Sequence, residues 1–143
     1  MPDLTLDAAQ AILSAALKAA RENNLKPLAG AVYDARGALR AFAAEDGTSL
    51  RRAEVAMGKA QGALAMGLGS RALYKRAIDH PFFIAAVTHA VGGMLIPVPG
   101  GVLIREAGGG LVGAIGISGD TSDNDEAAAV AGIEAAGLTA ETG

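Results

Sequence analysis

Cysteine is absent from this 143-residue chain, which excludes disulfides, thiolate metal sites and a cysteine nucleophile. Aromatic residues are scarce: Tyr33, Phe42, Tyr74, Phe82 and Phe83 are the whole set. With so few rings, no basic run and a net charge of −3, no surface is expected to stack bases or gather phosphates, so nucleic acid is not an expected partner. Long apolar runs are also missing. Phe82 to Val87 falls far short of the roughly 20 residues a membrane-spanning helix needs. Met1-Pro2-Asp3 leads straight into an amphipathic pattern, without the basic and apolar regions of a secretory signal. A cytoplasmic protein is the resulting expectation. Histidine occurs only at positions 80 and 89, and no His-x-x-x-His or Glu-x-x-His spacing points to a dedicated metal site.

The chain instead holds alanine, glycine and aliphatic residues, enough for one domain over residues 1–143 with a core closely packed on small side chains. Leu6, Ala9, Leu13, Ala16, Leu17 and Ala20 form one stripe, which predicts a helix over Thr5–Asn24, with Thr5 or Asp7 as its cap. Two short apolar segments, Pro27–Tyr33 and Ala38–Ala44, flank Asp34-Ala35-Arg36-Gly37 and read as a β-hairpin. A helix over Leu50–Met66 carries Gly58 and Gly62 one turn apart, which predicts a second backbone lying close to that face. Ser70–Ile78 reads as a short helix capped by Ser70. Pro81 then starts another that runs to Ala90, ended by Gly92-Gly93. Strands are expected at Met94–Val98, Val102–Glu106 and Leu111–Ile117, then a last helix over Ser122–Ala136 opened by an Asp123/Glu126 capping box, and a frayed tail. The order α-β-β-α-α-α-β-β-β-α predicts an α+β (α/β) fold: a five-stranded antiparallel sheet with flanking helices.

The glycine-dense stretch from Pro97 to Ala129 is the part most open to a chemical reading. Gly108-x-Gly110-x-x-Gly113 matches a dinucleotide fingerprint in letters, but that fingerprint needs a helix after it, and here a strand follows. No Gly-Lys-Ser/Thr occurs for a phosphate loop, and Gly116-Ile117-Ser118-Gly119 is not a nucleophile elbow. Turn and packing glycines explain the stretch better. Gly113, Ala114 and Gly116 would let a helix approach the sheet, or leave a shallow hollow for a ligand.

As a pattern, Pro99-Gly100-Gly101, the run Gly113 to Gly119, and Asp125-Glu126 at a helix start resemble the C-terminal signature of the GlcG/HbpS family. Leu4-Thr5 before the first helix, Ala31-Val32-Tyr33-Asp34-Ala35-Arg36-Gly37, and Lys59-Ala60 extend the likeness over nearly the whole chain. The resemblance implies a compact domain with a five-stranded antiparallel sheet and assembly into homo-oligomers. It implies a small-molecule ligand, haem in some members, such as the C-terminal domain of PduO; other members act on aminomuconate-like ring-cleavage products. Two readings stay open: a module binding haem or another carboxylated ligand, and a small catabolic enzyme for an unsaturated dicarboxylic acid.

Five residues are candidates for ligand contact. Arg52 and Lys59 lie two turns apart on one helix face and could form a cationic rim for carboxylates; Lys59 could instead pair with Asp125 or Glu126. Tyr74 could line a pocket or sit in the core. The first helix has no histidine, so an imidazole ligand to haem iron would come from His80 or His89. His89 shares a stripe with Phe82, Ala85 and Ala86. No catalytic triad can be assembled. A small-residue surface that includes Gly58 and Gly62 adds to the expectation of an oligomer.

Overall fold

The computed structural model describes residues 3–143. Its elements run α1 (Leu6–Glu22), β1 (Ala29–Asp34), β2 (Leu39–Ala44), α2 (Arg52–Met66), α3 (Ser70–Asp79), α4 (Pro81–Ala90), β3 (Gly101–Arg105), β4 (Leu111–Ser118), α5 (Ser122–Ala135) and β5 (Thr139–Glu141). The five strands lie in the order β2-β1-β4-β3-β5, and every pairing is antiparallel. This is the expected α+β architecture.

Alternation along the strands splits the sheet into two unlike faces. Val32, Val102, Ile104, Ile115 and Ile117 point to one side, where α1 and α5 cover them with Ile12, Leu13, Ala16, Ala129 and Ile133. Ala31, Tyr33, Leu103 and Ala114 point to the other, against Ala60 and Ala63 of α2. The second face is built from small residues, so α2 lies very near the strands. A Cβ on Gly116 would overlap the carbonyl oxygen of Ala56, and one on Gly101 would overlap that of Lys59. The glycine-dense stretch is therefore a seat for α2, not a hollow. Thr5 caps α1, its Oγ1 accepting from the Ala8 amide at 3.1 Å.

Four local expectations are corrected. Met94–Val98 forms no strand: Leu95 and Ile96 lie against the outer side of α2, where Gly62 and Gly58 make room, and the Ile96 amide donates to the Gly58 carbonyl at 3.1 Å. The two glycines thus admit a backbone of the same chain and are covered, so they are not surface for a second copy. The tail is not frayed: Thr139–Glu141 is the fifth strand, paired with β3 and tied by Arg105 Nε to Glu141 Oε1 at 2.7 Å. Ser70 does not cap α3 with its side chain; it is buried and its Oγ accepts from the Gly101 amide at 2.7 Å. The cap of α5 is Thr121, whose Oγ1 accepts from the Asn124 amide at 3.2 Å. That leaves Asp125 and Glu126 for other partners.

A third, smaller core sits beneath α3 and α4. Leu73, Ile84 and Leu95 are its buried members, with Met66, Leu68, Ala77 and Val87 around them. It holds the α3–α4 hairpin on the domain by a few contacts along one side.

Candidate functional site

Two regions gather the residues singled out by the sequence. The first is sealed. Lys59 is only 2% exposed, and its Nζ donates to the Ile117 carbonyl at 2.9 Å and to Asp125 Oδ2 at 3.1 Å. Asp125 in turn accepts from the Asp120 amide through Oδ1 at 2.9 Å. One ion pair therefore joins α2, the end of β4 and the first turn of α5. Burial pushes the Lys59 ammonium below its ordinary value; the charge and hydrogen bond of Asp125 work against that push, and Arg52 adds slightly to it. Gly100 is needed beside this pair. Its φ is +124°, and a Cβ there would crowd both the Ile117 carbonyl and Lys59 Nζ.

Arg52 does share a side of α2 with Lys59. Its Nη1 donates to Ser118 Oγ at 3.2 Å, one residue beyond the carbonyl that Lys59 holds. The expected cationic rim is thus reduced to Arg52, which is half-buried and has no carboxylate within ion-pair distance among the described residues. Lys59 took the structural alternative, the pair with Asp125.

Beside the sealed pair lies an open cavity of about 410 Å³ whose lining includes Arg71, Tyr74, Pro99, Thr121 and Asp123. Tyr74 lines it, as one reading of the sequence allowed. Arg71 was not singled out by the sequence, because its partners lie some fifty residues away. Its Nε donates to Glu126 Oε2 at 3.0 Å and its Nη2 to Asp123. These carboxylates raise its already high pKa further. With the one guanidinium already holding two carboxylates, the cavity offers an incoming dicarboxylate no unpaired cation.

The second region is the α3–α4 arm. Pro81–Ala90 contains no Asp, Glu, Lys or Arg, yet Ile84 is its only buried residue. Such a helix is normally enclosed on all sides. Here Phe82 is 91% exposed, Ile78 of α3 is 62% exposed, and Phe83, Ala85, Ala86, His89 and Ala90 also face solvent. His80 occupies the corner between the two helices and is exposed as well. Lys75, Arg76 and Asp79 also stand exposed on α3. The structure therefore places Tyr74, His80 and His89 on the arm, and Arg52 and Lys59 at the end of β4.

Asp34 belongs to neither region. It is fully buried, and its Oδ1 accepts from the Arg36 and Ala38 amides at 2.9 and 3.1 Å, while Oδ2 faces the Arg40 and Arg36 guanidinium groups. Burial raises its pKa, but these donors outweigh it and hold the carboxyl below 3.8. Asp120 accepts from the Lys26 amide, the Asn124 side chain and the Thr121 amide, which hold its pKa at about 2. Both are turn supports. Among the described residues no group of three His, Asp or Glu is placed to hold a metal ion, and no helix is long and apolar enough to cross a membrane.

Comparison with known proteins agrees with this architecture. The crystal structure of a PduOC–haem complex superposes with a TM-score of 0.85 at 23% identity, covering 96% of this chain and 97% of that one. The Klebsiella pneumoniae protein ORFY does so with a TM-score of 0.84 at 22% identity, covering 96% and 93%. HbpS is similar at 29% identity with a TM-score of 0.78, covering 92% and 89%. No curated protein matches the chain by sequence. The family model for haem degrading proteins of the HbpS-like type matches residues 4–134, and the chain belongs to that family.

Proposed function

We propose that this protein binds haem on the α3–α4 arm, with an imidazole of the arm as iron ligand. The observation that carries the reading is the exposed, charge-free surface of Phe82, Phe83, Ile78, Ala85 and Ala86, bounded by the chain's two histidines. Haem needs an apolar surface for the porphyrin, a Lewis base for the iron and cations for the propionates. The arm offers all three: aromatic and aliphatic side chains, His80 and His89, and the exposed Lys75 and Arg76 on α3. When bound, haem supplies an iron centre; the chain's residues hold it and screen one face from water. Support also comes from the family and from HbpS and the PduOC–haem complex as structural relatives.

The cavity at Tyr74 has its guanidinium already paired with Glu126 and Asp123, so the ligand is assigned to the open surface. A haemin titration followed by the Soret band tests the reading. Saturable binding is expected for the wild type. Replacing both histidines, His80→Ala with His89→Ala, is expected to remove the coordinated spectrum. Absence of a saturable shift in the wild type would refute haem binding. An unaltered spectrum in the double variant would refute the assignment to the arm.

A further inference from the structure

The cavity at Tyr74 holds an uneven set of charges. Arg71 supplies its one guanidinium, with Asp123 in the lining and Glu126 just behind. Glu126 gives both oxygens to Arg71: Oε2 accepts from Nε at 3.0 Å and Oε1 from Nη2 at 3.1 Å. Asp123 gives only Oδ1. Its Oδ2 accepts from no group among the described residues, and its side chain is 79% exposed. One cation therefore faces two carboxylates, and the group keeps one negative charge in excess. Behind it, Asp125 is neutralised by Lys59. The positive pole of α5 is already met by the Thr121 cap and by the carboxylates of its first turn. Lys75, one turn along α3 from Arg71, is not part of the lining.

The rest of the lining is apolar or aromatic. Val98, Pro99 and the ring of Tyr74 contribute to it, and Tyr74 is open to solvent. An aromatic face attracts a cation, and a carboxylate oxygen without a donor of its own accepts strongly from one. The volume of about 410 Å³ lies in the range of small-molecule sites.

We infer that this cavity binds a small primary amine with an apolar tail, its ammonium donating to Asp123 Oδ2 beside the Tyr74 ring and its tail lying against Val98 and Pro99. A primary ammonium is charged at neutral pH, as that of lysine is, and it brings the N–H donors that Oδ2 lacks. A carboxylate of the same shape is refused, because it would face the excess negative charge and find the guanidinium occupied. The site does not depend on haem. It is built from the first turn of α3, the start of α5 and the Val98–Pro99 segment, whereas the haem surface is formed by Ile78 and the residues of α4.

Calorimetric titration with phenethylamine tests the inference, with hydrocinnamate as the probe of similar shape and opposite charge. The wild type should bind the amine saturably in the millimolar range or tighter, and should not bind hydrocinnamate. Added salt should weaken the binding, because an exposed charge pair is screened. Asp123→Asn should lower the affinity for the amine about tenfold, the loss of one charge-assisted hydrogen bond. The fold should be unaffected, since Asp123 is exposed and Arg71 keeps Glu126. Tyr74→Leu, which keeps an apolar wall but removes the ring, should lower it about two- to fivefold. Asp123→Lys should lose the amine and take up hydrocinnamate, a gain that damage to the fold could not produce. No saturable uptake of phenethylamine by the wild type would overturn the inference. Equal uptake of hydrocinnamate, or an unchanged amine affinity in Asp123→Asn, would do so too. Haemin binding should be unaltered in Asp123→Asn, so the amine site and the haem surface fail separately.

Discussion

The two regions that carry the notable side chains are opposites. At the end of β4 the polar groups are buried and paired, and the backbones touch through glycine. On the α3–α4 arm apolar side chains stand in water, and the hairpin rests on a small core of its own. A buried lysine attracts a functional reading, yet here its hydrogen bonds are taken by Asp125 and Ile117. Burying two charges is costly unless they satisfy one another, and this pair does so while joining three elements. Exposed aromatic rings are the reverse case. They contribute nothing to the lone domain and find a use only when something covers them.

The contrast predicts a ranking of damage to stability. Lys59→Met leaves the Asp125 carboxylate buried without its cation, and should cost about 3–5 kcal/mol in denaturant unfolding. The double change Lys59→Met/Asp125→Leu should recover much of that loss, because no orphan charge remains. Gly116→Ala should come next, at about 1–3 kcal/mol, since its methyl group meets the Ala56 carbonyl and α2 must lift from the sheet. If Gly116→Ala were neutral, the close seat of α2 would be wrong.

Acid should act on the turns before the arm. Asp34 and Asp120 both have folded pKa values below the 3.8 of a free aspartate. In the window below 3.8 the unfolded chain binds protons that the folded chain does not, so stability falls as pH drops. Melting temperatures between pH 5 and pH 2 should decline, and Asp34→Asn should lessen the slope. Smallest of all should be Phe82→Ala, within about 0.5 kcal/mol of the wild type, because the ring is exposed in the lone chain. A large loss there would mean that α4 is enclosed in the monomer.

The same contrast explains what was legible in the sequence. The α1 stripe, the hairpin at Asp34 to Gly37 and the proline start of α4 are local signals, and all appear where the pattern put them. Gly58 and Gly62 correctly announced a close backbone, but its identity, the Leu95–Ile96 segment, required the fold. An apolar run with Pro97 near its end predicts a strand there, but Pro97 and Pro99 lack amide donors, and Leu95 and Ile96 pack on α2 instead. The fifth strand, Thr-Ala-Glu, is too short to leave any periodicity. Within the site, Lys59 with Asp125 was one of the options visible in letters. Arg71 with Asp123 and Glu126 was not, because nothing local marks a pair separated by more than fifty residues. Exposure of the Phe82–His89 stripe was also invisible, since an apolar helix reads as core.

The central claim, that ligand binding resides on the arm and the buried lysine pair is structural, is tested most directly by one haemin titration. It compares the wild type with the His80→Ala/His89→Ala double variant at equal folded concentration. The wild type should show a saturable Soret shift, and the double variant should lose it. A double variant that binds haemin with the wild-type spectrum and affinity would contradict it.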